Sequence, residues 1–201
     1  MNKTIAKTIS VAMHPVAMPC LLMLVLFNSG TLMSFYPLSL KLKLFLIIAV
    51  STLVLPLFMV LVLFWLKLVN SVQMHYHRER IIPYLFSLIF YSSAVFVLTN
   101  LKGLEVLKLI MVAASISLLI TLTVSFFWKI SAHMVGMGGA TGFILALYFM
   151  PRAEVHVFLL LAVFLSGAVG SSRLTLQEHS PLQVYTGYAV GLVTMLAVFL
   201  I

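Results

Sequence analysis

Long apolar stretches alternate with short polar ones along the whole chain. Runs approaching the roughly 20 apolar residues a helix needs to cross a bilayer fall at 11–27, 44–66, 84–101, 104–127, 134–150, 155–170 and 184–201. Each run is continuously apolar rather than alternating, which excludes a membrane barrel. The pattern predicts an all-α polytopic transmembrane helix bundle of six to seven spans, the fifth and sixth runs being the short ones. No internal repeat, low-complexity tract or soluble segment interrupts it, so residues 1–201 read as a single integral-membrane domain. No small-x-small site closes the first run, and Ala17-Met18-Pro19 ahead of Cys20 is a poor lipoprotein signal. That run therefore reads as an uncleaved helix.

Composition agrees with the pattern. Of 201 residues, 63% are hydrophobic and 8% charged, against roughly a quarter charged in a soluble domain; a water-soluble enzyme is excluded. The acidic residues are Glu79, Glu105, Glu154 and Glu178, with no aspartate. Chemistry built on an aspartate nucleophile or an aspartate metal site is therefore absent. The formal charge of +8 would suggest nucleic acid if the basic residues formed a stripe. Instead Lys3, Lys7, Lys41, Lys43, Lys67, Lys102, Lys108 and Arg152 punctuate the ends of apolar runs, where they meet anionic headgroups. The expected partners are membrane lipids, and nucleic acid is excluded. A lone Cys20 rules out an internal disulfide.

Three connections are rich in reactive groups: the stretch from Gln73 through His75, His77, Arg78, Glu79 and Arg80 to Pro83; Trp128-Lys129-Ile130-Ser131-Ala132-His133; and Ser171-Ser172-Arg173 through Gln183. Two spans separate each from the next, and an even number of crossings returns the chain to the same face. Outside these candidates the motif face carries Lys3, Lys7 and Lys67, and the opposite face Lys41, Lys43, Lys102, Lys108 and Arg152. By the positive-inside rule, this balance favours a motif face outside the cytoplasm.

Arginine is suited to bidentate recognition of phosphate. Arg78, Arg80 and Arg173 on one face with little acid nearby point to an anion site. Histidine serves as nucleophile or general acid near neutral pH, and His133 and His179 each follow small or hydroxyl residues. Ser131 and Ser172 add hydroxyl donors. Together they suggest phosphoryl transfer through a phosphohistidine, with no metal or other cofactor. Simpler readings stand beside this one. His75 and His77 fit an interfacial loop equally well, Arg80 a headgroup anchor, and His133 a residue beside an aromatic belt. His14 and His156 are assigned no role. Gly136, Gly138, Gly139, Gly142, Gly167 and Gly170 read as close-packing positions, Gly136 alone being set aside for backbone approach to phosphate.

At these residues the chain resembles the type 2 phosphatidic acid phosphatase superfamily, the integral-membrane lipid phosphate phosphatases, as a divergent member. Its motifs are Lys-x6-Arg-Pro, Pro-Ser-Gly-His and Ser-Arg-x5-His-x3-Asp. Ser172-Arg173, five residues, His179, three residues and Gln183 reproduce the third, with glutamine for aspartate. Ser131 and His133 match the second, with Ile130 for proline and Ala132 for glycine. In the first, Arg80 is split from Pro83 and Gln73 stands at the lysine. The resemblance makes His179 the nucleophile, Gln183 its orienting partner and His133 the general acid. Arg173 and Arg80 would clamp the phosphate, with Ser131 and the Ala132 and His133 backbone as donors. It implies a phosphorylated lipid substrate of the undecaprenyl diphosphate, phosphatidylglycerophosphate, phosphatidate or lipid A type, at the periplasmic face of a bacterial inner membrane. A second reading of the same residues is a relative that binds or moves a phosphorylated lipid without hydrolysis. A small transporter would need an ionisable residue at mid-span, and none is evident.

Overall fold

A computed structural model describes residues 1–69, 77–150 and 153–200, leaving aside the side chain of His77. Gln73, His75 and Arg152 lie outside the described residues. Helices are the regular structure of the described part: α1 (Lys3–Ala12), α2 (Met18–Phe27), α3 (Leu38–Ala49), α4 (Leu55–Trp65), α5 (Ile81–Thr99), α6 (Glu105–Ser125), α7 (Ala132–Tyr148), α8 (His156–Thr175) and α9 (Pro181–Leu200). Six helical segments are long and apolar enough to cross a membrane, and the chain is an all-α polytopic bundle. Its outside carries exposed leucine and phenylalanine, such as Phe58, Leu61 and Phe64 on α4 and Leu160 and Phe164 on α8. Lipid is the solvent in which such a surface is stable.

Two spans are built from pieces, each for a readable reason. Proline disfavours the helical region in the residue before it; His14 before Pro15 is extended, at φ −67° and ψ 136°, and breaks the first span between α1 and α2. The second span, Leu38–Trp65, carries a π turn at Val50–Val54 between α3 and α4. Pro56 lacks an N–H and its ring would strike the Thr52 carbonyl, and the widened turn relieves both.

The fifth apolar run is α7, 17 residues long. At 1.5 Å per residue it is about 25 Å, short for a lipid-facing span. Eleven of its 17 residues are buried and only Tyr148 is exposed, so it is the central helix and needs no lipid belt. It packs most closely on α9, where glycines let the two backbones touch. A Cβ at Gly138 or Gly191 would overlap the Tyr188 or Val135 carbonyl oxygen respectively, and one at Gly187 would lie 2.7 Å from the Ser131 oxygen. Gly136, set aside for phosphate approach, instead faces Met18 and Pro15, and a Cβ there would lie 2.9 Å from Met18 Cγ; it too is a packing residue. α7 runs from the end of the bundle holding His133 to the end where the Glu154 N–H donates to the Ser29 carbonyl at 2.7 Å.

Candidate active site

The turn between α8 and α9 builds the surroundings of His179. Gln177 is left-handed at φ 56°. The Glu178 N–H donates to the Arg173 carbonyl at 3.2 Å and the Gln177 N–H to Leu174 at 3.0 Å. These are the two bonds of a Schellman cap, here with glutamine where glycine is usual. The next helix starts at once: Pro181 occupies its first position after Ser180. The Gln183 N–H donates to Ser180 Oγ at 3.5 Å, and Gln183 Oε1 accepts from the Ser180 N–H at 3.1 Å. Ser180-Pro181-Leu182-Gln183 is thus a capping box.

That box has a chemical consequence. Because the Ser180 N–H can only donate, the Gln183 atom it meets is the amide oxygen. The same oxygen lies 3.0 Å from His179 Nδ1, so Nδ1 carries the proton and Nε2 keeps its lone pair. Burial holds the His179 ring at about 4, well below the ordinary histidine value. The Gln183 hydrogen bond works the other way, and the Arg80, Arg173 and Lys129 cations reinforce the depression. His179 is therefore a neutral, oriented imidazole at pH 7. As pH falls from about 6.5 toward about 4, the unfolded chain takes up a proton the folded chain refuses, so stability should drop across that window. A histidine NMR titration checks the assignment: His179 should stay neutral until about pH 4, whereas a midpoint near 6.5 would show that burial does not hold it.

His133, in the first turn of α7, joins the cluster and lies within electrostatic reach of His179 and Arg173. Its Nε2 is 3.0 Å from the Ser10 carbonyl. A carbonyl only accepts, so Nε2 donates and Nδ1 is the nitrogen left for proton transfer. Arg173 Nη1 donates to Ser10 Oγ at 3.4 Å. His14 packs edge-on against His133, ring centroids 5.4 Å apart. Ser10 and His14 were invisible in the motif spacing; the one signal was a histidine-proline pair inside an apolar run. His156 is exposed beside Tyr148 at the other end of the bundle.

The cations converge as parity requires. Arg80 is buried, hydrogen-bonds Tyr84, and lies within electrostatic reach of Lys129, Arg173 and His179. Glu178 Oε2 sits 3.7 Å from Lys129 Nζ and 3.8 Å from Arg173 Nη2. It turns to the cations and leaves His179 to Gln183. Lys129 is pushed below the usual lysine value by burial and by Arg80, with Glu178 opposing. Ser131 is fully buried at the start of α7 and caps nothing. Its Oγ, Arg173 Nε and His14 Nδ1 are buried without a hydrogen-bond partner among the described residues. Such groups cost about 1–3 kcal/mol each when left unmade, and their gathering at this end of the bundle makes it the candidate site.

Two expected ligands fall outside it. Ser172 is fully buried, but its hydroxyl donates to the Ala168 carbonyl at 2.8 Å; inside α8 its one proton is committed to the helix. Arg78 is exposed, and among the described residues no hydrogen bond or ion pair ties it to the cluster. Among the described residues no group of three His, Cys, Asp or Glu could hold a metal.

An apolar cavity of about 120 Å³ opens beneath the cluster, its wall beginning at Pro15, Tyr84 and Ala132 and continuing inward to Tyr91, Ile110 and Met195. Tyr84 belongs to both, bonded to Arg80 on one side and lining the cavity on the other. Comparison of the chain with models of known families, with curated proteins and with solved structures returns no match.

Proposed function

We propose that this chain is an integral-membrane phosphatase that hydrolyses a lipid phosphomonoester or diphosphate through a phosphohistidine on His179. The observation that carries the reading is a neutral His179, its Nδ1–H held by Gln183, among three cations. Its Nε2 attacks phosphorus as the bond to the leaving oxygen breaks. His133 takes a proton from solvent onto Nδ1 as the dianion binds and gives it to that oxygen. Water then attacks the phosphohistidine as the N–P bond breaks, His133 takes the water's proton, and it returns that proton to solvent as orthophosphate leaves, so both histidines end neutral. Arg80 and Arg173, the Ser131 hydroxyl and the free N–H groups opening α7 stabilise the phosphoryl oxygens. The apolar cavity reached through Tyr84 supports a substrate with a hydrocarbon chain. Its partners are then membrane lipids. Lys41, Lys43, Lys102 and Lys108 opposite the cluster favour a site outside the cytoplasm, which the family resemblance makes the periplasmic face of a bacterial inner membrane.

Gln183 favours a second reading. The capping box alone accounts for it, and it brings no charge to offset a cationic phosphohistidine. A protein that binds a phosphorylated lipid without cleaving it would need no more. Phosphate release by the detergent-purified protein from a panel of lipid mono- and diphosphates separates the two. Release on at least one lipid, above the His179→Ala background, is expected. Lipid binding without release on any of them would leave the binder.

A further inference from the structure

The site holds one cation and one anion that the phosphatase reading leaves without a role. Lys129 lies in the connection between α6 and α7, two residues before Ser131, and Glu178 immediately precedes His179. One carboxylate oxygen, Glu178 Oε2, is shared by Lys129 Nζ at 3.7 Å and Arg173 Nη2 at 3.8 Å. Both separations are well beyond the roughly 2.7–2.9 Å of a tight charge-assisted hydrogen bond. The carboxylate oxygen is therefore shared between two cations at long range. The side chains of Lys129 and Glu178 are 24% and 25% exposed, against 11% for Arg173, so the first two border solvent more than the arginine does.

Three cations, Arg80, Lys129 and Arg173, stand within electrostatic reach of His179. Like charges so placed repel, and a nearby anion relieves the repulsion. Glu178 is that anion when the site is empty. A phosphoryl dianion at His179 would supply the same neutralisation with more acceptor oxygens, and it would be repelled by a carboxylate left between the cations.

Resting on the phosphatase reading for the class of ligand, we infer that Lys129 is a third phosphate-binding cation of this site and that Glu178 is its displaceable counter-ion. The carboxylate occupies the anion position until a phosphoryl group takes it over and releases Lys129 to bind. The alternative is an interfacial ion pair that only ties the two connections together. A lysine whose one task is to hold Glu178 has no effect once Glu178 is gone. A lysine that binds phosphate still does.

That difference is measured by a double-mutant cycle. Orthophosphate binding to the full-length, detergent-solubilised protein is followed by calorimetry for wild type, E178Q, K129M and the double variant, with circular dichroism as a check on folding. E178Q should tighten binding about tenfold and K129M should weaken it about tenfold, the scale of one charge-assisted contact. K129M should weaken it in the E178Q background as well, and K129R should stay close to wild type. Should E178Q not fold, E178A takes its place in the cycle. A K129M effect that vanishes with Glu178, or an E178Q protein that binds more weakly, overturns the proposal. The readout needs no turnover. An intact cycle without lipid phosphate release removes the phosphatase reading alone, and release with a failed cycle removes this inference alone.

Discussion

Replacing His179 by alanine should lower phosphate release by on the order of 10⁴-fold or more, the scale on which a covalent nucleophile is lost. His133 has its Nε2 committed to the Ser10 carbonyl and its Nδ1 assigned to proton transfer, and Glu178 is turned to Lys129 and Arg173. The loss should fall on turnover while orthophosphate binding survives, because Arg80, Arg173 and Ser131 remain. Wild-type protein quenched during turnover of a radiolabelled substrate should carry an acid-labile phosphoryl label that His179→Ala lacks. His133→Ala should behave differently. It should lose activity on lipid alcohol leaving groups and keep most of it on p-nitrophenyl phosphate, whose leaving group needs no proton. A labelled His179→Ala protein, or one that still turns over, would remove His179 as nucleophile.

Gly191→Ala should be the most damaging substitution away from the chemistry. The added Cβ would overlap the Val135 carbonyl oxygen and lie 2.6 Å from the Gly139 nitrogen. These are backbone atoms of the central helix, and no side chain can rotate to make room. Only separation of α7 from α9 relieves the overlap, at about 3 kcal/mol or more, the upper part of the range for overpacked interiors. Separation also opens the site, because Ser131 and His133 stand at the start of α7 and Gln183 lies in the first turn of α9. The Ser131 N–H to Gln183 carbonyl bond, already 3.4 Å, is the first contact it would break. Thermal unfolding in detergent should show a large drop for Gly191→Ala and little change for Gly167→Ala, where nothing lies within 4 Å. Equal stability of the two would show that the glycine contact does not hold these helices.

The spans were legible because crossing a bilayer is a local requirement. A run of apolar residues must satisfy its own backbone as a helix whatever its neighbours do. Parity then brought Arg80, His133, Arg173 and His179 to one end without any knowledge of packing. Other residues meet partners that spacing alone does not reveal. Ser172 has the right position in a motif, but one helical turn offers its hydroxyl the Ala168 carbonyl. Glu178 sits in a loop, where it could have served His179, yet two cations attract its charge more strongly than one neutral ring. Gln183 reads as an uncharged substitute for aspartate, while its geometry comes from a capping box that also sets the His179 tautomer.

What the sequence determined by itself is the all-α membrane architecture, the end of the bundle where the chemistry gathers, and the identity of its histidines and arginines. These follow from hydropathy and from counting crossings, which are sums along the chain. Only the tertiary structure decided which atoms meet. Ser10 reaches His133 across 123 positions and Arg173 across 163, and His14 turns inward because Pro15 breaks the first span. Contacts of that separation depend on how helices pack, and at α7 and α9 the packing depends on glycines whose partners lie on another helix.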